Sequence, residues 1–260
     1  MASSVKAKKH LGQHFLTDLN IAQKIVNALP QDDVAILEIG PGTGVLTQYL
    51  IEKSNFTAFD IDIESIHFLK NRYPQHEQKI QFQDFLEADL ASFSAKGNFK
   101  VVGNFPYNIS TQIMFKVLEY RNNIRSLVGM FQKEVAQRIA EKPGTKAYGI
   151  LSVLLQAFYK IEYLFTVSEH VFDPPPKVKS AVIRLTRNNR ASLNCNEELF
   201  FKVVKASFNQ RRKTVRNSVK VLSGNAIVES VYLNKRAEQL SVEEFIELTN
   251  SIEQALQHKP

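Results

Sequence analysis

The chain has 260 residues, 44% of them hydrophobic and 23% charged, with a formal net charge of +7 at pH 7. This length suits one large domain with a smaller companion, and the composition excludes collagen-like and wholly disordered chains. No apolar run approaches the roughly 18 residues of a membrane span, and no apolar signal-peptide region is present. Together with the single cysteine, Cys195, this predicts a cytoplasmic protein without a membrane partner. We also expect a monomer. The basic excess favours an anionic partner.

Short β-rich runs alternate with segments of helical spacing through the first two thirds of the chain. The predicted strands cover residues 34–39, 57–61, 80–83, 100–102, 126–131, 163–167 and 181–185, and the predicted helices cover 19–29, 45–53, 63–72, 111–119, 133–141 and 149–159. This alternation is typical of an α/β fold whose mostly parallel sheet carries helices on both faces. The last two strands are joined by a proline-rich segment without a helix, which predicts an antiparallel pair at the end of the sheet.

The strand pattern stops after Arg187. Residues 188–196 are polar and predict a linker, and helices are predicted over 197–222, 225–233 and 242–257. A capping box at the start of the last helix supports its position. We therefore expect an α/β domain over residues 1–188, with a basic arm at 1–17, and a small helical domain over 194–260.

Basic residues are concentrated in two stretches that contain no acidic residue. One stretch covers residues 199–228, and on a continuous helix its Arg212, Arg216 and Lys220 would share one face. This predicts nucleic-acid contact, with a plain solvated helix face as the alternative. The other stretch covers residues 1–17 and is either a phosphate-binding arm or a frayed terminus.

A glycine-rich turn follows the first predicted strand in the segment ILEIGPGTGVLT. Gly40, Gly42 and Gly44 would let a ligand approach the backbone closely at the carboxyl edge of the sheet, where open α/β folds bind ligands. The spacing does not fit the G-x-G-x-x-G fingerprint of dinucleotide-binding proteins.

Acidic residues stand at the ends of the first three strands: Glu38, Asp60 and Asp84. A carboxylate in the position of Asp60 can accept both hydroxyls of a ribose, and one in the position of Asp84 can accept a hydrogen bond from an adenine amino group. Because no basic residue lies around the loop, the pattern favours S-adenosylmethionine over a nicotinamide or flavin cofactor and over an ordinary structural turn.

The fourth predicted strand ends in GNFPYNIS. The amide oxygen of Asn104 and the backbone carbonyl of Phe105, held by Pro106, can accept hydrogen bonds from both N–H groups of adenine N6 and so localise its lone pair. Tyr107 offers a flat face for a flipped base. The motif predicts methyl transfer to N6 without metal or covalent enzyme intermediate, although Asn-x-Pro is also common in turns.

Seven segments together match one known family: KKHLGQHFLTD at 8–18, LEIGPGTGVLT at 37–47, GNFPYNIS at 103–110, FQKEVAQRI at 131–139, KAYGILSV at 146–153, VFDPPPKVKSAVIRL at 171–185 and FNQRRKTVRNS at 208–218. Through them the chain resembles the bacterial small-subunit ribosomal RNA adenine-N6 dimethyltransferases, the KsgA family, nearly end to end. The resemblance implies a Rossmann-like S-adenosylmethionine-dependent methyltransferase domain with a small all-helical C-terminal domain. It also implies dimethylation of two adjacent adenosines in a hairpin loop near the 3′ end of 16S rRNA, within the small subunit or its precursor.

The resemblance assigns roles to individual residues. The implied cofactor contacts are His14, Leu16, Gly40, Gly42, Asp60, Asp84 and Asn104. The implied catalytic residues are Asn104, Phe105, Pro106 and Tyr107, with Tyr107 and Phe172 stacking on the target base. The expected RNA-binding residues are Arg211, Arg212, Lys213, Arg216 and Lys220. No metal is predicted, because His10 and His14 lack a third ligand nearby.

Three positions depart from the usual family pattern: His14 replaces a frequent Asn, Phe105 a Leu and Asp60 a Glu. Two other functions are compatible with the sequence. The chain could dimethylate a large-subunit adenosine and confer macrolide resistance, or it could be an assembly factor that has lost catalysis. The acids at the strand ends and the intact NFPY motif favour a catalytic protein.

Overall fold

The computed structural model describes residues 5–94, 97–190, 192–210 and 212–257, with the backbone alone at Ser92 and Ser94. The strands are β1 (Phe15–Leu16), β2 (Ala35–Ile39), β3 (Phe56–Asp60), β4 (Ile80–Phe82), β5 (Phe99–Asn104), β6 (Ile124–Gln132), β7 (Tyr159–Val167), β8 (Phe172–Asp173) and β9 (Ser180–Arg187). The helices are α1 (Leu19–Asn27), α2 (Ile63–Arg72), α3 (Ala91–Ser94), α4 (Ser110–Glu119), α5 (Lys133–Ala140), α6 (Ile150–Phe158), α7 (Glu197–Asn209), α8 (Val215–Ser223) and α9 (Val242–Gln257).

Seven strands form one sheet in the order β4-β3-β2-β5-β6-β9-β7. The pairs from β4 to β6 are parallel, and β9 lies antiparallel to β6. Val101, Val102 and Leu127 are fully buried, as expected for central strands covered on both faces. The carboxyl ends of the parallel strands therefore meet at one edge. The prediction that the last two strands are neighbours at the end of the sheet is confirmed, since β7 lies beside β9.

One predicted helix of this sheet region is wrong. Residues 45–53 form successive turns with a single 3-10 helix at Thr47–Tyr49, instead of an α-helix. The hydroxyl of Thr47 is drawn inward to the carboxylate of Glu38 at 2.8 Å, and Gly44 holds a positive φ of 82°. Because Gly44 leaves the helical region of backbone space and Thr47 is tied to β2, the regular helix does not propagate here.

The N-terminal segment is part of the fold from Val5 onward. Strand β1 pairs with β8 in a separate two-stranded sheet, where Leu16 faces Phe172 and Phe15 faces Asp173. The backbone N–H of Thr17 also donates to Val171 O at 2.9 Å. The alternative of a frayed terminus is thus wrong for residues 8–17, because paired backbone groups anchor them. Phosphate binding by this arm stays a prediction.

The chain divides into two compact units, Met1–Ala136 with Ile161–Arg187 and Gln137–Lys160 with Asn188–Pro260. The predicted boundary at residue 188 assigns Gln137–Lys160 to the first domain, whereas these residues belong to the second unit. Helix α6 is apolar on nearly all sides and packs on α7 and α9. A helix of that composition needs cover around its whole circumference, which other helices provide.

Two predictions for the second unit are also wrong. The predicted helix over residues 197–222 is interrupted between α7 and α8, because Gln210 and Thr214 leave the helical conformation. The break falls at a run of cations that includes Arg212 and Lys213, where like charges at helical spacing disfavour a continuous helix. The segment 225–233 is irregular: Gly224 ends α8 with a positive φ of 58°, and Ile227 and Val231 have no buried face to stabilise a helix.

Within the described ranges, every helix is too short or too polar to traverse a lipid bilayer.

Candidate active site

A cavity opens at the carboxyl edge of the parallel strands, in the first unit. It is lined by residues 11–15, by Ile39, Gly40 and Gly42, and by residues 59–61, 83–85 and 104–109. The glycine turn after β2 and the ends of β3, β4 and β5 thus meet at one place. Its walls include Ile39, Phe59, Ile61 and Phe85, so it offers apolar faces beside a few polar groups, as ligand sites commonly do.

Asp60 is oriented by the backbone around it. Its Oδ2 accepts a hydrogen bond from Gly42 N at 3.1 Å, and its Oδ1 accepts one from Asp62 N at 2.9 Å. Burial raises the pKa of the Asp60 carboxyl, against the lowering effect of these N–H donors. Each oxygen keeps lone-pair capacity for a further donor, so the side chain can serve the predicted contact with two ribose hydroxyls.

Gly42 is required by close packing as well as by conformation. Its φ is 55°, and a Cβ atom there would lie 2.8 Å from the ring of Phe15. A side chain at this position would therefore push the N-terminal segment away from the cavity.

Glu38 belongs to the framework and does not line the cavity. The residue is 1% exposed, and its carboxyl accepts the hydrogen bond from Thr47 Oγ1. Burial, together with the negative charge of Asp60, raises the pKa of Glu38 to about 8 against the lowering effect of the hydrogen bond from Thr47. The group is therefore mostly protonated near neutral pH. The acidic residues that reach the cavity are Asp60 and Asp84.

Asp84 lies at the end of β4, beside Gln83 and Phe85 in the cavity wall. Its Oδ1 accepts a hydrogen bond from Leu86 N at 2.8 Å. This bond fixes the carboxylate while leaving Oδ2 for a donor in the cavity, which suits the predicted contact with an amino group.

Asn104 ends β5, and its amide is held in one orientation. Nδ2 donates a hydrogen bond to the backbone carbonyl of His14 at 2.8 Å. With Nδ2 engaged by the N-terminal segment, Oδ1 is the atom left to accept a hydrogen bond within the cavity. This is the orientation that the predicted contact with adenine N6 requires.

Phe105 serves as an anchor for the motif. Its side chain is 1% exposed and packs edge-on against Phe131, at a centroid distance of 5.1 Å. A Cβ at Gly103 would lie 2.6 Å from the ring, and one at Gly129 would also overlap it. The two glycines therefore create the space for Phe105 where the family usually has the smaller leucine.

Tyr107 is positioned by two neighbours. Its hydroxyl hydrogen-bonds Ser180 Oγ, and its ring lies 5.5 Å from the ring of His14 at an interplanar angle of 32°. Burial raises the pKa of the Tyr107 hydroxyl, so it stays neutral. The ring remains part of the cavity lining, which suits the predicted stacking on a base.

The predicted contacts at His14, Leu16 and Phe172 have different outcomes. His14 lines the cavity and its Nδ1 donates to the carbonyl oxygen of Pro174 at 2.7 Å. Leu16 and Phe172 lie in the hydrophobic core and outside the cavity lining. Because Phe172 is only 4% exposed, its predicted stacking role is not supported: the ring packs against the core where β8 meets β1. Phe15, which sequence reasoning overlooked, lines the cavity instead.

The predicted RNA-binding residues do not form one helical stripe. Arg211 lies outside the described residues, and Arg212 and Lys213 precede α8 in the interruption after α7. Arg216 and Lys220 lie one turn apart on α8. All four described side chains are exposed, and none forms an ion pair with an acidic residue in the described part of the chain.

A parallel sheet with a glycine turn after its first strand and acids at the next strand ends defines the class of S-adenosylmethionine-dependent methyltransferases. The fit to the methyl donor is supported by the cavity itself, which combines apolar walls with the oriented carboxylates of Asp60 and Asp84. The family profile described as ribosomal RNA adenine dimethylase matches residues 4–254. The chain therefore belongs to the ribosomal RNA adenine dimethylase family and is an S-adenosylmethionine-dependent enzyme.

Two relatives are similar over nearly their whole length. The chain is 60% identical to ribosomal RNA small subunit methyltransferase A of Cytophaga hutchinsonii, covering 95% of this chain and 98% of the relative. It is 56% identical to the protein of that name from Bacteroides thetaiotaomicron, covering 97% of this chain and 96% of the relative.

Solved structures share the fold. A dimethyladenosine transferase from Plasmodium falciparum superposes with a TM-score of 0.76 at 24% identity, over 93% of this chain and 98% of that one. The 23S rRNA methyltransferase ErmE superposes with a TM-score of 0.67 at 25% identity, over 92% of this chain and 99% of that one.

Proposed function

We propose that this enzyme dimethylates N6 of two adjacent adenosines in a hairpin loop near the 3′ end of 16S rRNA, in the small ribosomal subunit or its precursor. The observation that carries the proposal is the orientation of Asn104, whose Nδ2 is engaged by His14 O at 2.8 Å so that Oδ1 can accept a hydrogen bond. The small-subunit substrate is supported by relatives that are 54–60% identical over nearly the whole chain and carry the small-subunit name.

The donor pocket is the cavity at the sheet edge. When bound there, S-adenosylmethionine supplies a methyl group made electrophilic by its sulfonium. Asp60 would hold the ribose hydroxyls and Asp84 the adenine amino group of the donor, with Gly40 and Gly42 allowing close backbone approach. Ile61 and Phe85 would cover its adenine ring.

The acceptor adenine would be prepared by residues 104–107. Asn104 Oδ1 and the Phe105 carbonyl oxygen would accept hydrogen bonds from the two N6 hydrogens. These two contacts would localise the lone pair on the nitrogen. Tyr107 would stack on the flipped base, and Pro106 limits motion of the segment. Such an arrangement acts by positioning and by fixed dipoles aimed at the reacting nitrogen, with no covalent bond to the protein.

The RNA itself would be held by cations of the second unit. Arg212, Lys213, Arg216 and Lys220 are exposed and unpaired by described acids, so their charges are free to meet phosphates. Arg211 stays a prediction of the sequence, as do the cytoplasmic location and the monomeric state.

The test is methylation of undermethylated small subunits with labelled S-adenosylmethionine, followed by mapping of the labelled nucleotides. Label on N6 of two adjacent adenosines near the 3′ end of 16S rRNA is the expected result. Label confined to other nucleotides would overturn the small-subunit assignment.

The alternative substrate is large-subunit RNA, suggested by the similarity to ErmE. Parallel incubation with large subunits and a macrolide-susceptibility assay of expressing cells separate the two. We expect little label in the large subunit and unchanged susceptibility.

A further inference from the structure

Asp62 lies just after the ribose-contact residue Asp60 and gathers an unusual number of donors. Its side chain is 0% exposed. Oδ1 accepts hydrogen bonds from Lys8 Nζ at 2.6 Å and Glu64 N at 3.0 Å. Oδ2 accepts from Gln13 Nε2 at 3.0 Å and Ser65 Oγ at 3.3 Å. A carboxylate has about four acceptor positions, so all of them are used.

Two of these donors come from the N-terminal segment and two from the start of α2. Lys8 and Gln13 bracket the stretch whose residues 11–13 begin the cavity lining. Gln13 also accepts a hydrogen bond from Lys8 N at its Oε1, at 2.8 Å, so the two residues form one unit on the carboxylate. Asp62 therefore fastens the first part of the N-terminal segment, from Lys8 to Gln13.

The residues that follow, His14 to Leu16, have contacts of their own. His14 donates from Nδ1 to Pro174 O and accepts from Asn104 Nδ2 at its backbone carbonyl, and β1 then pairs with β8. The segment spanning the cavity is thus tied at both ends, to the strand end that carries Asp60 and to the motif that carries Asn104. The backbone N–H of Asp62 orients Asp60, but its side-chain contacts have no part in the chemistry proposed above.

We propose that Asp62 is a positioning residue for the methyl donor: by holding Lys8 and Gln13, it keeps residues 11–15 closed along the cavity and so slows donor release. The proposal rests on the assignment of this cavity as the donor site. Asp62 touches neither the donor nor the acceptor base in this scheme, and the fastening acts on donor affinity with little effect on the methyl-transfer step.

Two substitutions separate this role from capping of α2. Asp62→Asn keeps an oxygen that can accept from Glu64 N, because asparagine is a good N-cap, but loses the charge that holds Lys8. Lys8→Met removes the other partner and leaves the Asp62 cap of α2 in place, but it also removes the ion pair of Lys8 Nζ with Glu64 Oε1 at 3.2 Å. Lys9→Met is the matched control, since Lys9 is exposed one residue away and its side chain has no hydrogen bond or ion pair with a described residue.

The measurements are calorimetric affinity for S-adenosylhomocysteine, kcat and KM for S-adenosylmethionine, and amide exchange of residues 8–16, all on the full chain. We expect Lys8→Met and Asp62→Asn each to weaken affinity about tenfold, as loss of a charge-assisted hydrogen bond would. KM should rise by a similar factor, kcat should change little, and amide exchange in the segment should accelerate. The double variant should lose little more than either single one, and Lys8→Arg should restore affinity.

Several outcomes would overturn the fastening. Affinity unchanged in Lys8→Met, or fully additive losses in the double variant, would show that Asp62 acts only as a helix cap. A fall in kcat at constant KM would contradict a role in donor retention. Failure of the unaltered chain to bind S-adenosylhomocysteine would instead overturn the donor-site assignment itself.

Discussion

The side-chain amide of Asn104 donates from Nδ2 to the backbone carbonyl of His14, 2.8 Å away and 90 positions earlier in the chain. This contact ties the motif at the end of β5 to the N-terminal segment. It also decides which end of the amide faces a substrate, because only the oxygen is left to accept. A residue whose side chain is fixed before substrate arrives loses less conformational entropy when it binds.

Replacement of Asn104 with alanine should reduce methyl transfer at least ~100-fold, the scale seen when a single oriented dipole is removed from a reacting centre. RNA binding should persist, because Asn104 lies far in sequence from the exposed cations of α8. Turnover with labelled donor and RNA binding by fluorescence anisotropy measure the two effects. Asn27→Ala, on the exposed face of α1, is the control, and equal loss of turnover and RNA binding in Asn104→Ala would contradict its role.

Asp84→Asn should raise KM for S-adenosylmethionine about tenfold or more, since an acceptor that becomes partly a donor mismatches the amino group it is proposed to hold. Because the loss occurs equally in the ground state and the transition state, kcat should change less than KM. Steady-state kinetics with varied donor measures the split. Asp33→Asn, whose side chain is exposed, should leave both parameters unchanged. A drop in kcat alone would place Asp84 elsewhere in the reaction.

Glu38→Gln should make the stability of the chain less sensitive to a rise in pH from weakly acidic to about pH 8. The unfolded carboxyl titrates near 4.5 and the folded one near about 8, so the folded state holds more protons between these values and stability falls as pH rises through the window. Glutamine cannot ionise and still accepts the hydrogen bond from Thr47. The variant's advantage in unfolding free energy should therefore grow from about pH 5 to about pH 8, measured by urea unfolding. A difference independent of pH would show that Glu38 does not titrate there.

Gly129→Ala should destabilise the chain by about 1–3 kcal/mol, the usual cost of overpacking a core. The added methyl would overlap the ring of Phe105, whose own backbone carries one of the proposed acceptors, so turnover should fall as well. Combining it with Phe105→Leu frees space and should recover part of both losses. Urea midpoints and turnover of the two single variants and the double variant test this coupling; strictly additive effects would argue against the packing of Gly129 on this ring.

Arg216→Ala combined with Lys220→Ala should weaken RNA binding and flatten its dependence on salt, by roughly 0.7–0.9 in log–log slope for each phosphate that is no longer neutralised. The measurement is anisotropy with a labelled 16S rRNA fragment across a range of KCl concentrations. Lys202→Ala on α7 is a suitable control, because its ammonium already pairs with Glu198 at 2.6 Å. An unchanged slope in the double variant would leave these two residues as a solvated helix face.

The α/β class, most of the strands and the identity of the donor could be predicted from the chain alone. These follow from local patterns: apolar runs of strand length, a glycine turn and acids placed at the next strand ends. Because parallel strands bring their carboxyl ends to one edge, the chain order alone places Asp60, Asp84 and Asn104 together. Helix α2 was predicted with its observed bounds, Ile63–Arg72, since its periodicity is clear.

The meeting of segments that are distant in the chain is a property of the three-dimensional fold. The contacts of residues 11–15 beside the cavity are made with Asp62, Pro174 and Asn104, which no local pattern connects to the N-terminus. Burial of Phe172 depends on the pairing of β8 with β1, and the room for Phe105 depends on glycines from two neighbouring strands. The apolar periodicity of residues 197–222 likewise does not show the interruption between α7 and α8, where Gln210 and Thr214 leave the helical conformation.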